Sequence, residues 1–123
     1  MKVILIIGSG GFVGSVFRYL LHLSITKIVP LTFPFGTLIV NLVGCFAIGL
    51  IYGAFGKVSW LNEDWKLFLA IGICGGFTTF SSFSYDNIKL LQQGLFMQAF
   101  MYISASIILG LLLTFWGMML MQK

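Results

Sequence analysis

Charge is missing from long, unbroken stretches of this sequence. Residues 28–56, 67–85 and 90–122 contain no Asp, Glu, Lys or Arg, and residues 3–26 contain only Arg18. A helix needs about 20 mostly apolar residues to cross a bilayer, so each stretch accommodates one crossing. Spans are expected at 3–25, 33–55, 66–92 and 96–121. Seven basic and three acidic residues make the chain 8% charged, where a soluble domain carries about 25%. So few charges cannot cover a globule in water. A soluble monomer and a disordered chain are excluded, and 123 residues are too few for a two-domain enzyme. The expected fold is an all-α integral membrane protein, a single transmembrane domain over 1–123.

The start of the chain, Met1-Lys2 followed by Val3 to Ile7, imitates a signal peptide. No small-x-small cleavage site stands at the right distance, and the next three segments are equally apolar, so a retained span is expected. The N-terminus, the loop after the second span and the C-terminus fall on one side, with Lys2, Lys57, Lys66 and Lys123. The other side has Lys27 and Lys89. Four lysines against two barely choose an orientation, and Glu63 and Asp64 add little. Such a chain is expected to insert both ways round. Cys45 and Cys74 lie inside spans without CxxC spacing, which favours small buried residues over a metal or redox pair.

Gly8, Gly11 and Gly14 follow an apolar run and imitate a phosphate-cradling loop. The dinucleotide-binding context fails, because that fold needs an acidic residue about 20 positions on and the first acid is Glu63. On a helix, Gly11, Gly14, Ser15, Arg18 and His22 form one stripe. Small residues there permit close helix approach in lipid. Arg18 either snorkels to the interface or faces water, a partner or an anion. His22 lacks a second ligand at metal spacing and is expected at the interface.

The second span carries Thr37, Asn41, Gly44 and Cys45 on one face, continued by Gly49 and Gly53. The amide of Asn41 must find partners in hydrocarbon, either as helix glue or along an ion path. In the third span, Gly75-Gly76 is poor helix material, and Thr78, Thr79, Ser81, Ser82 and Ser84 follow at once. A break is expected over Gly75 to Thr79, giving two half-helices. Irregular backbone at membrane depth survives only inside protein or beside water. Freed carbonyls there suit a cation, and half-helix N-termini suit an anion. The competing reading is an unbroken helix with hydroxyls bonded back to carbonyls. Phe80 and Phe83 share a face; their ring edges carry partial positive charge. Asp86 is the only acid within a span, hence functional or paired. Tyr102, Ser106, Gly110 and Thr114 stand at steps of four in the last span, either as a polar track or as hydroxyls bonded to their own helix.

Three blocks, GGFVGSVFRY (10–19), GTLIVNLVG (36–44) and GGFTTFSSFS (75–84), together resemble the Fluc (CrcB) fluoride channels in order and spacing. The third block is the most specific, and the resemblance spans essentially the whole chain. It implies a four-span protein of dual topology in the cell inner membrane, assembled as an antiparallel homodimer with two pores. Its activity would be passive export of cytoplasmic fluoride with selectivity over chloride. Its partners would be fluoride, a second copy and lipid, with no nucleic acid.

Residue by residue, the resemblance assigns Asn41, Phe80 and Phe83 to the pore, with Thr79 and Ser82 beside them. Tyr102 and Ser106 begin the polar track, which Thr114 extends. Arg18 belongs at the aqueous vestibule. Backbone carbonyls of Gly75 and Thr78 would hold a structural Na+ on the dimer axis. Gly110 stands where the track often has a hydroxyl. Asp86 stands where the family usually has Glu, which leaves its role open.

Two other classes compete. A small dual-topology exporter of cationic drugs needs a membrane carboxylate in its chamber, and Asp86 is the only candidate. A structural subunit would use its polar residues merely to bridge helices. No Ser-His-Asp set, metal cluster or paired carboxylates support an enzyme.

Overall fold

The computed structural model describes residues 1–29 and 32–122. Lys123, counted above among the lysines of one side, lies outside the described residues. The apolar runs become helices α1 (Lys2–Ile28), α2 (Phe35–Ala54), α5 (Phe80–Gln92) and α6 (Phe96–Gln122). Between α2 and α5 stand a short α3 (Glu63–Lys66), a π-helical turn (Leu67–Cys74) and α4 (Gly75–Phe77). Four helical stretches are long and apolar enough to cross a membrane: Lys2–Ile28, Phe35–Ala54, Glu63–Gln92 and Phe96–Gln122.

Local chemistry sets the ends. α2 starts after Pro34, whose φ of −80° suits entry to a helix. It stops where Gly56 turns the chain at φ 89°. Asn62 caps α3 by accepting a hydrogen bond from the Trp65 amide at 3.1 Å, with Glu63 and Asp64 in the positive first turn. Gly94, at φ 76°, makes the tight turn from α5 into α6.

The third span is broken, as expected, but the glycines do not break it. Gly75 and Gly76 are helical, within α4. The interruption falls on Thr78 (φ −86°, ψ 155°) and Thr79 (φ −149°, ψ 116°), both extended. The role of Gly76 is proximity: a Cβ there would meet the Gly11 carbonyl oxygen at 2.7 Å.

That contact belongs to a seam between α1 and the first half of the third span. A Cβ at Gly10 would lie 2.5 Å from the Phe68 carbonyl oxygen and 2.8 Å from the Gly72 Cα. The glycine run that imitated a nucleotide loop is therefore a helix-packing surface. A second seam joins α2 to α6. There a Cβ at Gly53 would meet the Met118 carbonyl oxygen at 2.8 Å, and one at Gly117 the Phe46 carbonyl oxygen at 2.7 Å. Lipid supplies no hydrophobic drive between helices, so close backbone packing has to hold them together. The contiguous buried cluster is correspondingly small: Leu38, Leu90, Ala99 and Tyr102. Phe12, Phe17, Phe100, Leu111 and Phe115 stay exposed, which suits lipid or a partner and would be untenable in water.

Lys2 Nζ lies 2.9 Å from Asp64 Oδ2, and Lys57 Nζ donates to the Gln122 carbonyl. These contacts gather the N-terminus, the α2–α3 loop and the end of α6 on one face of the bundle. Lys27 and Lys89 close α1 and α5.

The seams make a sharp test. Gly10→Val is expected to destabilise the protein by about 1–3 kcal/mol or more, because backbone rather than a flexible side chain blocks the new atoms. Gly8→Ala meets nothing within 4 Å and should leave stability within about 0.5 kcal/mol. Melting temperatures in detergent that do not separate the two variants would refute the tight seam.

Candidate functional site

A break inside a membrane span strips backbone groups of their helical partners. Side chains from three elements replace them here. Asn41 of α2 answers Thr79 twice: its Nδ2 donates to the Thr79 carbonyl at 3.1 Å, and the Thr79 amide donates to its Oδ1 at 2.8 Å. Arg18 of α1 reaches across the glycine seam, and its Nε donates to the Gly76 carbonyl at 3.2 Å. Arg18 thus points into the protein rather than outward to the interface. The Thr78 hydroxyl donates back to the Cys74 carbonyl at 2.9 Å. The Thr79 hydroxyl caps α5 by accepting from the Ser82 amide at 3.1 Å, with the Ser81 hydroxyl at 3.1 Å.

Backbone carbonyls are left over, those of Gly75 and Thr78 among them. The Thr79 amide goes to Asn41 and the Ser82 amide to the Thr79 hydroxyl, so the Gly75 and Thr78 carbonyls lose the amides four residues on. A cleft of about 440 Å³ lies beside them. It brings together seven of the residues singled out from sequence: Asn41, Gly75, Thr78, Thr79, Phe80, Phe83 and Ser106. The Ser106 hydroxyl is buried and has no hydrogen-bond partner among the described residues. The Phe80 and Phe83 ring centroids lie 5.7 Å apart, with planes tilted by 41°. Phe80 is 77% exposed, so its edge is uncovered by the chain itself.

The remaining candidates lie elsewhere. Asp86 lines a second cleft of about 300 Å³ with His22 and Lys89. Tyr102 touches both regions. It is fully buried, its ring packs on Phe83 at 5.0 Å, and its hydroxyl donates to Asp86 Oδ2 at 3.1 Å. Asp86 is thus paired, one of the two roles its position implied. Ser82 meets the break through its backbone amide. Thr114 donates to the Cys45 carbonyl at 3.0 Å, across the second seam rather than within its own helix. Arg18, Ser82, Tyr102 and Thr114 are not among the cleft-lining residues.

Sequence reasoning missed Cys45 and Cys74 as cleft walls. For Cys45 the signal was present, since it shares a stripe with Asn41 and Gly44. Cys74 carried none, because the π-helical turn ends there and rotates it relative to an α-helical wheel.

Residues 5–118 match the sequence profile of the family described as "CrcB-like protein, Camphor Resistance (CrcB)". The chain belongs to the CrcB family. The similarity covers most of the length of individual relatives. The chain is 46% identical over 123 residues to the fluoride-specific ion channel FluC of Flavobacterium psychrophilum, covering 100% of this chain and 99% of that protein. The protein of the same name from Phocaeicola vulgatus is 47% identical over 91% of this chain and 92% of its own length. That of Leptospira interrogans is 39% identical over 99% and 96%. With four spanning helices, this CrcB-family chain is a multi-pass membrane protein. The drug-exporter reading finds no support among the relatives. Asp86, the carboxylate which that reading would need, lines the other cleft and accepts a hydrogen bond from Tyr102.

The Thr79 cap predicts its own sensitivity. Thr79→Ala should lower stability by about 0.5–2 kcal/mol, and Thr79→Ser should retain it, because serine offers the same acceptor. Thermal unfolding in detergent measures both, and an alanine variant as stable as wild type would show the cap to be dispensable.

Proposed function

We propose that this chain is the subunit of a passive, fluoride-selective channel of the cell inner membrane that exports cytoplasmic fluoride. The observation that carries the proposal is the 440 Å³ cleft, in which a half-helix N-terminus, an unpartnered hydroxyl and two phenylalanine rings converge, in a chain so similar to proteins named for fluoride conduction. A channel breaks no covalent bond, so this is not an enzyme.

Fluoride is small and tightly hydrated. A pore has to replace its water closely and still release it. The first amides of α5, at Phe80 and Ser81, have no helical acceptor and carry the positive end of the helix dipole. Ser106 adds a hydroxyl donor. The edges of Phe80 and Phe83 add attraction that is weak enough not to trap the ion. Tyr102 and Asp86 then lead from this cleft to the second one, where His22 and Lys89 face water.

The assembly belongs to the same proposal. Exposed Phe80 and the exposed backbone of Gly75 call for a cover that one chain does not supply. A second copy, inserted the opposite way round, would provide it and give two pores per homodimer. The near-even lysine distribution supports dual insertion. The carbonyls of Gly75 and Thr78 are hard oxygen donors, which fit a hard cation such as Na+. Bound between subunits, that ion would hold the broken spans and raise the local positive potential.

Purified protein in liposomes loaded with fluoride should release it to an external fluoride electrode, and chloride-loaded liposomes should retain their chloride. Phe80→Ile, which keeps bulk and removes the ring edge, should lower efflux at least tenfold. No efflux from wild type, or unchanged efflux from the variant, would sink the proposal. For dual topology, protease mapping of membranes should cut N-terminal tags from both faces; cleavage from a single face would refute it.

A further inference from the structure

Asn41 and the backbone of Thr79 close a two-bond ring, the pattern two strand residues use to pair. We propose that Asn41 is a positioning residue: it holds the third span open at Thr79, and so sets where Phe80 and the N-terminus of α5 stand in the cleft. This deepens the channel reading above and rests on it.

The competing arrangement is a continuous helix. Its bonds would run from the Thr79 amide to the Gly75 carbonyl and from the Phe80 amide to the Gly76 carbonyl. Side chains meet both bonds. Asn41 uses the single proton of the Thr79 amide, and Arg18 donates to the Gly76 carbonyl, which keeps a second lone pair. Of the two, Asn41 alone also engages the far side of the break, through the Thr79 carbonyl. Its reach depends on the neighbouring Gly44, whose absent Cβ would collide with the Thr78 side chain. α2 therefore lies against the break for a full turn, with the amide delivered to Thr79.

Rewinding would move the phenylalanines. An extended residue advances about 3.3 Å and a helical one about 1.5 Å. Returning Thr78 and Thr79 to helix would draw α5 toward α4 by about 3–4 Å and rotate it. Phe80 and the free α5 amides would leave the cleft wall. Asn41 has one N–H left after serving Thr79, so its main work is on the backbone and not on the ion.

The test measures the break without the ion. Amide hydrogen exchange of full-length protein in fluoride-free nanodiscs should show the Phe80 and Ser81 amides, which lack helical acceptors in the broken span, exchanging at least tenfold slower in Asn41→Ala than in wild type. Ser106→Ala, which lines the same cleft but bonds nothing in the break, should leave their exchange unchanged. In liposomes, Asn41→Ala should lower fluoride efflux at least tenfold. Combined with Phe80→Ile, it should lower efflux little further, because both act through one element.

Unchanged Phe80 and Ser81 exchange with lost efflux would overturn the proposal and assign Asn41 to the ion itself. Slower exchange with retained efflux would overturn it equally. Should Asn41→Ala fail to assemble, Asn41→Asp decides. Its protonated carboxyl offers one acceptor and one donor like the amide, so Phe80 and Ser81 should exchange as in wild type when it is protonated and more slowly when it is ionised. Exchange equal to wild type in both states would refute the clamp. A wild-type protein that conducts no fluoride would defeat the channel reading, while the exchange comparison would still decide whether Asn41 holds the break.

Discussion

Backbone amides and carbonyls at membrane depth must have partners, because hydrocarbon offers none. Interrupting the third span at Thr78 and Thr79 removes several helical bonds at once, and much of the polar chemistry of the chain answers that loss. Asn41 binds Thr79 from one side and Arg18 binds Gly76 from the other. Thr78 and Thr79 turn their own hydroxyls back to the chain. An arginine and an asparagine in apolar helices are costly in isolation. They are sustainable here because each meets a backbone group that would otherwise be orphaned.

The glycine seams make this exchange possible. Side chains as short as Asn bridge two helices only when the backbones approach closely. Gly10, Gly72 and Gly76 bring α1 against the first half of the third span, and Gly44 brings α2 against Thr78. Gly49, Gly53 and Gly117 lock α2 to α6. A methyl group at most of these positions would strike backbone, which has nowhere to move. Glycine is therefore not there to loosen the helices. It sets the distance at which polar contacts form.

The same break that demands satisfaction also creates opportunity. It places the start of α5 beside a cleft lined by Phe80, Phe83 and Ser106, whose hydroxyl is buried. The carbonyls of Gly75 and Thr78 remain on its other side. Donors for an anion and acceptors for a cation thus arise a few residues apart from one local departure from helix. Tyr102, buried between Phe83 and Asp86, carries the polar line on to the second cleft.

Much of this was legible in the residues alone. Charge-free runs delimit four spans, because transfer of charge into lipid is prohibitive whatever the tertiary fold. The hydroxyl run after Gly75-Gly76 located the break to within a few residues, and helical stripes grouped Gly11 with Arg18 and Asn41 with Cys45. Tertiary structure alone decided what those groups do. Gly76 serves packing and not the break; Arg18 turns inward to a carbonyl; Thr114 bonds across to α2; Cys74 reaches the cleft through a π-helical turn. The physical reason is range. Partition into lipid and helical periodicity are properties of a local segment, whereas a hydrogen-bond partner is set by which backbone arrives within 3 Å, and that depends on how separate helices pack.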